Sequence, residues 1–257
     1  MTNTMKIVII NSSPRKNGVT NLLLSHMKEG METEGASVDM FDLYKQKIKF
    51  CDGCFRCWYE HPSICKIQDD FNGIYNKVIN ADLVVFASPI YGMIVNAMLK
   101  SFMERLSMVS HLPDFKIDEM SSKMVKPMQD HLPPVALVLS GNMSGREIFD
   151  SSYLFFNEYF RITNTKIVGR VFRHQSELLI KPILDKQRES VMEAMFTSGS
   201  DLVKYGRIKE STKEQAEQDL LCMKDFIDGH NLFWKICTKK KINPLKLDFQ
   251  QYPLLKL

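Results

Sequence analysis

Lys6-Ile7-Val8-Ile9-Ile10-Asn11-Ser12-Ser13-Pro14-Arg15-Lys16-Asn17-Gly18-Val19-Thr20-Asn21 is the stretch that decides the fold class. Lys6–Asn11 is a near-continuous apolar run, as a strand buried on both faces of a parallel sheet requires. The run stops in short polar residues with Pro14 and Gly18. From Thr20 to Glu34, Leu22, Leu23, Met27 and Met31 then recur on one helical stripe. Strand, polar turn and helix form the first half of a βαβ crossover. The turn also has the composition of an anion cradle. Ser12, Ser13, Asn17 and Thr20 offer short donors, Arg15 and Lys16 add full charges, and Asn21 closes the segment. A helix start adds unpaired amides and the positive end of the helix dipole. A polar turn with Thr20 as N-cap is the plainer alternative. Neither G-x-G-x-x-G nor G-x-x-x-x-G-K-[ST] is present, so a mononucleotide phosphate fits better than a dinucleotide or a nucleoside triphosphate.

The same alternation continues outward. Strand patterns at Ser37–Leu43, Leu83–Ala87, Val135–Leu139 and Lys166–Val171 are separated by helical patterns at Asp70–Asn80, Val95–Met108 and around Arg146–Arg161. The expectation is an α/β, doubly wound, five-stranded parallel sheet in order 2-1-3-4-5, with ligands beyond the carboxyl ends of the strands. Two inserts interrupt the rhythm, at Tyr44–Asp69 and from Val109 to about Leu132. Helical patterns at Ile183–Tyr205 and Thr212–Gly229 follow the last strand. Residues 1–175 are expected to form the nucleotide-binding domain, and residues 176–257 a helical extension packing on it or on a partner subunit.

The first insert contains Cys51-Asp52-Gly53-Cys54-Phe55-Arg56-Cys57 and then Cys65, four of the six cysteines in the chain. A loop that presents every third side chain inward can bring such thiolates to one soft metal centre. Zinc also takes four thiolates, although its sites usually pair two separated knuckles. A loop that keeps its thiols without metal is the third reading. Lys49, Arg56 and Lys66 would offset thiolate charge. Cys222 and Cys237 stand alone and read as core. Asp70 reads as the cap of the helix beginning at Phe71.

Two motifs carry a resemblance. The segment Ser13–Thr20 resembles the S-P-R-x-x-G-x-T loop of the NAD(P)H-dependent FMN reductase and iron–sulfur flavoprotein superfamily, which has a flavodoxin-like fold. Ser88-Pro89-Ile90-Tyr91-Gly92, followed by Lys100, Phe102, Glu104 and Arg105, is similar to that family's S-P-x-Y loop and K-x-F-x-[DE]-R helix. Ser140-Gly141-Asn142 matches the family's third loop loosely. The resemblance covers roughly residues 5–170 and implies FMN. Ser12, Ser13, Arg15, Asn17, Thr20 and Asn21 would hold its phosphate, while Pro89, Ile90, Tyr91, Gly92, Ser140, Gly141 and Asn142 would line the ring. It further implies that Cys51, Cys54, Cys57 and Cys65 hold a [4Fe–4S] cluster, and that NAD(P)H donates electrons to a small-molecule acceptor or a ferredoxin-like protein. The expected activity is that of an FMN-dependent NAD(P)H oxidoreductase. The alternative is a non-enzymatic electron carrier or redox sensor. Family members also lead one to expect a homodimer or homotetramer.

Composition limits the remaining classes. A chain of 257 residues with 44% hydrophobic and 25% charged residues can fill one substantial core. A net charge of +4, spread along the chain with one short run at Lys239–Lys241, argues against a nucleic-acid partner. No apolar run nears the roughly 20 residues that span a bilayer, and no leader is visible, so a cytoplasmic, membrane-free protein with reduced thiols is expected.

Overall fold

The computed structural model describes residues 4–61, 63–109, 116–118, 123–125, 132–181 and 184–247. Strand β1 (Lys6–Asn11) leads into helix α1 (Val19–Thr33), which returns to β2 (Ser37–Asp42). The cysteine-rich segment holds one short helix, α2 (Arg56–Tyr59), before α3 (Phe71–Ile79). Strand β3 (Leu83–Tyr91) turns back into the two-residue β4 (Ile94–Val95) and then α4 (Ala97–Leu106). A small antiparallel pair, β5 (Lys116–Asp118) and β6 (Lys123–Val125), lies within the second insert, most of which falls outside the described residues. Then come β7 (Val135–Ser140), α5 (Asp150–Ile162), β8 (Ile167–Arg173), α6 (Asp185–Tyr205), α7 (Glu210–Ala216) and α8 (Met223–Lys240).

The main sheet runs β2-β1-β3-β7-β8, every one of these pairs parallel, with β4 added antiparallel to the end of β3. Counting the five parallel strands alone, the order is the expected 2-1-3-4-5. Side-chain alternation along the strands creates two cores. Val8, Ile10, Val84, Phe86, Leu137 and Leu139 face α3, α4 and α5, packing on Phe71, Phe102, Phe156 and Phe160. Ile7, Ile9, Val85, Ala87, Ala136 and Val138 face α1 and α6, packing on Leu23, Met27, Met31, Val191, Met195 and Leu202. Each such side chain taken fully out of water contributes roughly 1.5–3 kcal/mol.

Helix α6 touches α1 backbone to backbone. A Cβ on Gly30 would lie 1.9 Å from the Phe196 carbonyl oxygen, and one on Gly199 would lie 2.0 Å from that of Met27. Two glycines therefore set the separation of these helices.

Three local expectations are corrected. Thr20 is not the N-cap of α1; Gly18 is, with no side-chain cap, and Thr20 is the second residue of the helix. Asp70 holds the N-cap position of α3 but makes no capping bond. Its carboxylate instead accepts from the Lys47 amide (2.6 Å), and Asp69 accepts from the Phe71 amide (3.1 Å). The helical pattern at Thr212–Gly229 is broken between α7 and α8. There Gln175 Oε1 accepts from the amides of Leu220 (2.9 Å) and Leu221 (3.0 Å), bonds that a continuous helix would have kept for itself.

Candidate functional site

The carboxyl ends of β1, β3 and β7 carry three turns that meet. Ser12 joins the first two: its amide and its Oγ both donate to the Ala87 carbonyl (3.0 Å each), and its own carbonyl accepts from Asn96 Nδ2 (2.5 Å). Asn96 also caps α4 by accepting from the Leu99 amide (3.1 Å). Ser12 is thus used to fasten the turn. Asn11 and Asn21 shape it: Asn11 Oδ1 accepts from the Ser13 amide (3.0 Å), Asn11 Nδ2 donates to Asn21 Oδ1 (2.7 Å), and Asn21 Nδ2 donates to the Arg15 carbonyl (2.7 Å). The start of α1 is left without a side-chain cap, so the amides of Val19, Thr20 and Asn21 gather at the positive end of the helix dipole. An anion supplies what a capping oxygen otherwise would.

Thr20 and Ser140 bring the first and third turns together, their hydroxyls 2.8 Å apart and buried. Arg15 reaches across to Glu177 (3.0 Å), whose amide donates to Asn142 Oδ1 (3.3 Å). Gly141 lies close under Ile148: a Cβ there would lie 2.2 Å from Ile148 Cδ1, so that side chain would have to move aside. Pro89, aligned with Ser140 across the sheet, begins the second turn. Ile90 and Tyr91 pair with Val95 and Ile94 around Gly92 (φ +58°) and Met93 (φ +69°), a two-residue hairpin with both central residues left-handed. Tyr91 projects from it, 43% exposed. Asn17 and Lys16 stand at the outer rim. A wall of backbone donors on one side and an aromatic hairpin on the other suit a phosphorylated planar ligand.

The cysteine-rich segment lies under α4. Cys51, Cys54, Cys57 and Cys65 line one small cavity with Phe55, Lys66 and Arg105. The turn is made by Gly53 (φ +64°) and Phe55 (φ +57°). Burial pushes the Cys57 thiol up to about 11, and the neighbouring Cys65, Cys54 and Cys51 push the same way. A thiol as buried as that of Cys57 ionises only with positive charge beside it. Among the described residues, no three His, Cys, Asp or Glu side chains converge closely enough to grip a single metal ion.

Two of the three expected counter-charges are paired with carboxylates of their own. Arg56 pairs with Glu60, and Lys66 pairs with Asp52 at 2.9 Å, which holds the Asp52 carboxyl down to about 2. The cation against the thiols is Arg105, beside Cys65. Its side chain is fully buried, donates to Asp69 Oδ2 (2.5 Å) and to the carbonyls of Lys49 (3.2 Å) and Ile67 (3.4 Å), and lies 4.2 Å from the Phe71 ring centroid. Burial opposes both charges of the pair, yet the pairing wins: Asp69 sits below the ordinary carboxylate range and Arg105 above its usual value. One guanidinium ties both stems of the cysteine-rich segment to the helix that follows the aromatic hairpin.

A network that sequence patterning does not reveal backs the third turn. Arg173, His174 and Gln175 are all buried at the end of β8. The Arg173 carbonyl accepts from the Gly141 amide (2.9 Å), the Gln175 amide donates to the Met143 carbonyl (2.9 Å), and Arg173 Nη1 donates to the Ala216 carbonyl (2.9 Å). Burial lowers Arg173 to about 10. The only signal in the sequence is three polar residues directly following a strand.

The family model described as NADPH-dependent FMN reductase matches residues 5–148, more than half of the chain. An iron–sulfur flavoprotein of Archaeoglobus fulgidus is 33% identical over 112 residues, 44% of this chain and 50% of that protein. One from Clostridioides difficile is 33% identical over 107 residues, 41% of this chain and 47% of that protein. The chain spans about half the length of these curated relatives. Among solved structures, the NAD(P)H:quinone oxidoreductase from Methanothermobacter marburgensis aligns with a TM-score of 0.60 at 15% identity, over 78% of this chain and 96% of that one. An FMN-dependent NADH-azoreductase from Bacillus anthracis, in complex with FMN, aligns with a TM-score of 0.56 at 14% identity, over 78% of this chain and 100% of that one. At those identities the two structures speak for the fold. The family model speaks for descent, and its span takes in the first two turns and ends just beyond the third: the chain belongs to the NADPH-dependent FMN reductase family.

Proposed function

We propose that the crevice between the three turns binds FMN and that the protein is an NAD(P)H-dependent FMN oxidoreductase. The observation that carries this reading is the uncapped start of α1 facing turns fastened together by Ser12, Asn96, Thr20 and Ser140. Amides of the first turn and of Val19–Asn21 would hold the phosphate, with Arg15, Asn17 and the Thr20 hydroxyl beside them. Pro89, Ile90, Tyr91 and Gly92 would cover one side of the ring and exclude water there. Ser140, Gly141 and Asn142 would supply backbone groups at its polar edge. Bound FMN supplies hydride acceptance from a nicotinamide and electron release to an acceptor.

The donor set around the cysteine cavity fits a thiolate-ligated [4Fe–4S] cluster held by Cys51, Cys54, Cys57 and Cys65, which would supply one-electron transfer. The Arg105 guanidinium would then balance thiolate charge. Free cysteines throughout the described residues suit a cytoplasmic setting. Among those residues, no helix is long and apolar enough to cross a membrane.

The half-exposed cysteine cavity favours a second reading, a carrier or redox sensor exchanging electrons with a ferredoxin-like partner. Titration of the protein with FMN, followed by anaerobic mixing with NADPH and NADH and an iron and sulfide assay, separates these readings. Stoichiometric FMN uptake with bleaching of flavin absorbance by a nicotinamide supports the enzyme. FMN uptake with reduction only by a reduced ferredoxin supports the carrier. A protein that refuses FMN sinks both.

A further inference from the structure

The charged side chains that line the cysteine cavity are Asp52, Lys66, Glu104 and Arg105. Asp52 pairs with Lys66 and Glu104 with Lys100, every member of these pairs a third to a half exposed. Water and salt screen such pairs heavily. The pair of Arg105 with Asp69 differs. Its side chains are 0% and 2% exposed, so its field acts through the interior.

That pair is also oriented. Arg105 lines the cavity beside Cys65, whereas Asp69 does not line it. The Asp69 oxygens accept from the amides of Lys49 (2.8 Å) and Phe71 (3.1 Å) as well as from Arg105. The positive end of the pair therefore faces the thiols. Arg105 also retains a donor. Its Nη1 and Nη2 are spent on Asp69 and on the carbonyls of Lys49 and Ile67, but its Nε is buried with no hydrogen-bond partner. A buried N–H without an acceptor is costly and calls for a reason. The main chain of Cys65 is itself held in place, since Asn72 Nδ2 donates to its carbonyl (3.0 Å).

We propose that Arg105 sets the reduction potential of the iron–sulfur centre, donating its Nε–H to the Cys65 sulfur and favouring the reduced state with a buried charge that Asp69 only partly cancels. The inference rests on the reading of the cavity as a [4Fe–4S] site. Reduction there adds one electron and no proton, so the centre becomes more negative by one charge. Reduced FMN supplies that electron in the protein, and an electrode supplies it in the test. A fixed positive charge and a hydrogen bond to a ligand sulfur both stabilise the more negative state. Arg105 is thus a positioning residue that makes the centre a better electron acceptor.

The test is a spectroelectrochemical titration, read by electron paramagnetic resonance, of the full chain reconstituted anaerobically with iron and sulfide. Wild type, Arg105→Gln, Asp69→Asn and the double variant are compared. From highest to lowest, the expected potentials are those of Asp69→Asn, wild type, the double variant and Arg105→Gln. Arg105→Gln should lower the reduced-to-oxidised ratio at a fixed potential at least about tenfold, which is about 59 mV for one electron. The differences should persist at high salt, because the pair is buried. Loss of packing alone would move both single variants in the same direction. Should Arg105→Gln fail to fold, Asp69→Asn against the double variant isolates the same side chain. The proposal is overturned if removing Arg105 does not lower the potential in whichever of these comparisons is made, or if Asp69→Asn does not raise it. A wild type that takes up no cluster overturns the iron–sulfur reading and this inference with it, while a cluster whose potentials depart from that order overturns this inference alone.

Discussion

Arg105 shows how one residue can join two sites. The guanidinium is buried and paired, and its removal would strand the Asp69 carboxylate in the interior beside the ring of Phe71. Breaking a buried pair from one side costs about 3–5 kcal/mol, and each kcal/mol lowers the melting temperature of a chain this size by about 2–4 °C. Arg105→Met should therefore lower the melting temperature by about 6–20 °C. Adding Asp69→Asn should recover part of that loss, because the stranded charge is removed. An equal or larger loss in the double variant would refute the pairing argument.

Glu177 allows the opposite kind of test. Its ion pair with Arg15 is partly solvated, the two side chains 29% and 45% exposed, and so is worth less than about 1 kcal/mol. Glu177→Gln should leave stability almost unchanged while freeing Arg15 for a phosphate. FMN affinity should then rise by up to about fivefold at low salt and by less at high salt. Weaker FMN binding in the variant would show that Glu177 holds the turn in its competent shape.

Among the elements, two glycines in helices should respond to the same substitution with opposite signs. In α6, an Ala at Gly199 places its Cβ 2.0 Å from a backbone oxygen of α1, which cannot move aside alone. Gly199→Ala should cost about 1–3 kcal/mol or more as the helices separate. In α3, a Cβ at Gly73 meets nothing within 4 Å. Gly73→Ala should add about 0.5–1 kcal/mol by removing backbone freedom from the unfolded chain. Urea midpoints of the two variants check both signs at once.

The same contrast explains what the sequence made legible. Lys6–Asn11 and Val135–Ser140 are apolar on both faces, so their burial in a parallel sheet could be read directly. The order of the strands could not, because alternation of strands and helices implies a parallel sheet without fixing which strands are neighbours. The role of Gly199 depends on Gly30 and Met27, some 170 residues away, and no local pattern carries such information. Thr20 misled for a similar reason: a hydroxyl at a helix start normally caps, but Ser140 on a distant strand claims it. The first turn, Asn11–Asn21, has the composition of an anion cradle, and that composition is legible in the sequence. Arg105, whose role arises from tertiary contacts with Lys49, Ile67 and Asp69, was visible only as part of a motif.

For the molecule as a whole, the end of β8 links the C-terminal helices to the crevice, and its titration should appear in global stability. His174 is fully buried, with Nε2 2.6 Å from Asp219 Oδ1. Burial, then the charge of Arg173, hold its pKa below the ordinary 6.5, and the Asp219 bond only partly opposes them. Glu217 is held above 4.5 by burial, with the Phe172 amide (2.7 Å) acting against the shift. As pH falls below about 6.5 the unfolded chain takes up a proton that folded His174 resists, so stability falls with pH. For Glu217 the slope reverses: as pH rises from about 4.5 toward its raised value, the unfolded chain releases a proton that the folded one keeps, and stability declines. The wild type should therefore gain stability relative to His174→Gln between about pH 5 and pH 7. It should lose stability relative to Glu217→Gln on the rising side of pH 4.5. Thermal melts of the three proteins across that range provide the difference curves. A flat curve for His174→Gln would mean that imidazole and solvent exchange protons freely in the folded state, and that Arg173, His174 and Gln175 do not stay buried behind the third turn.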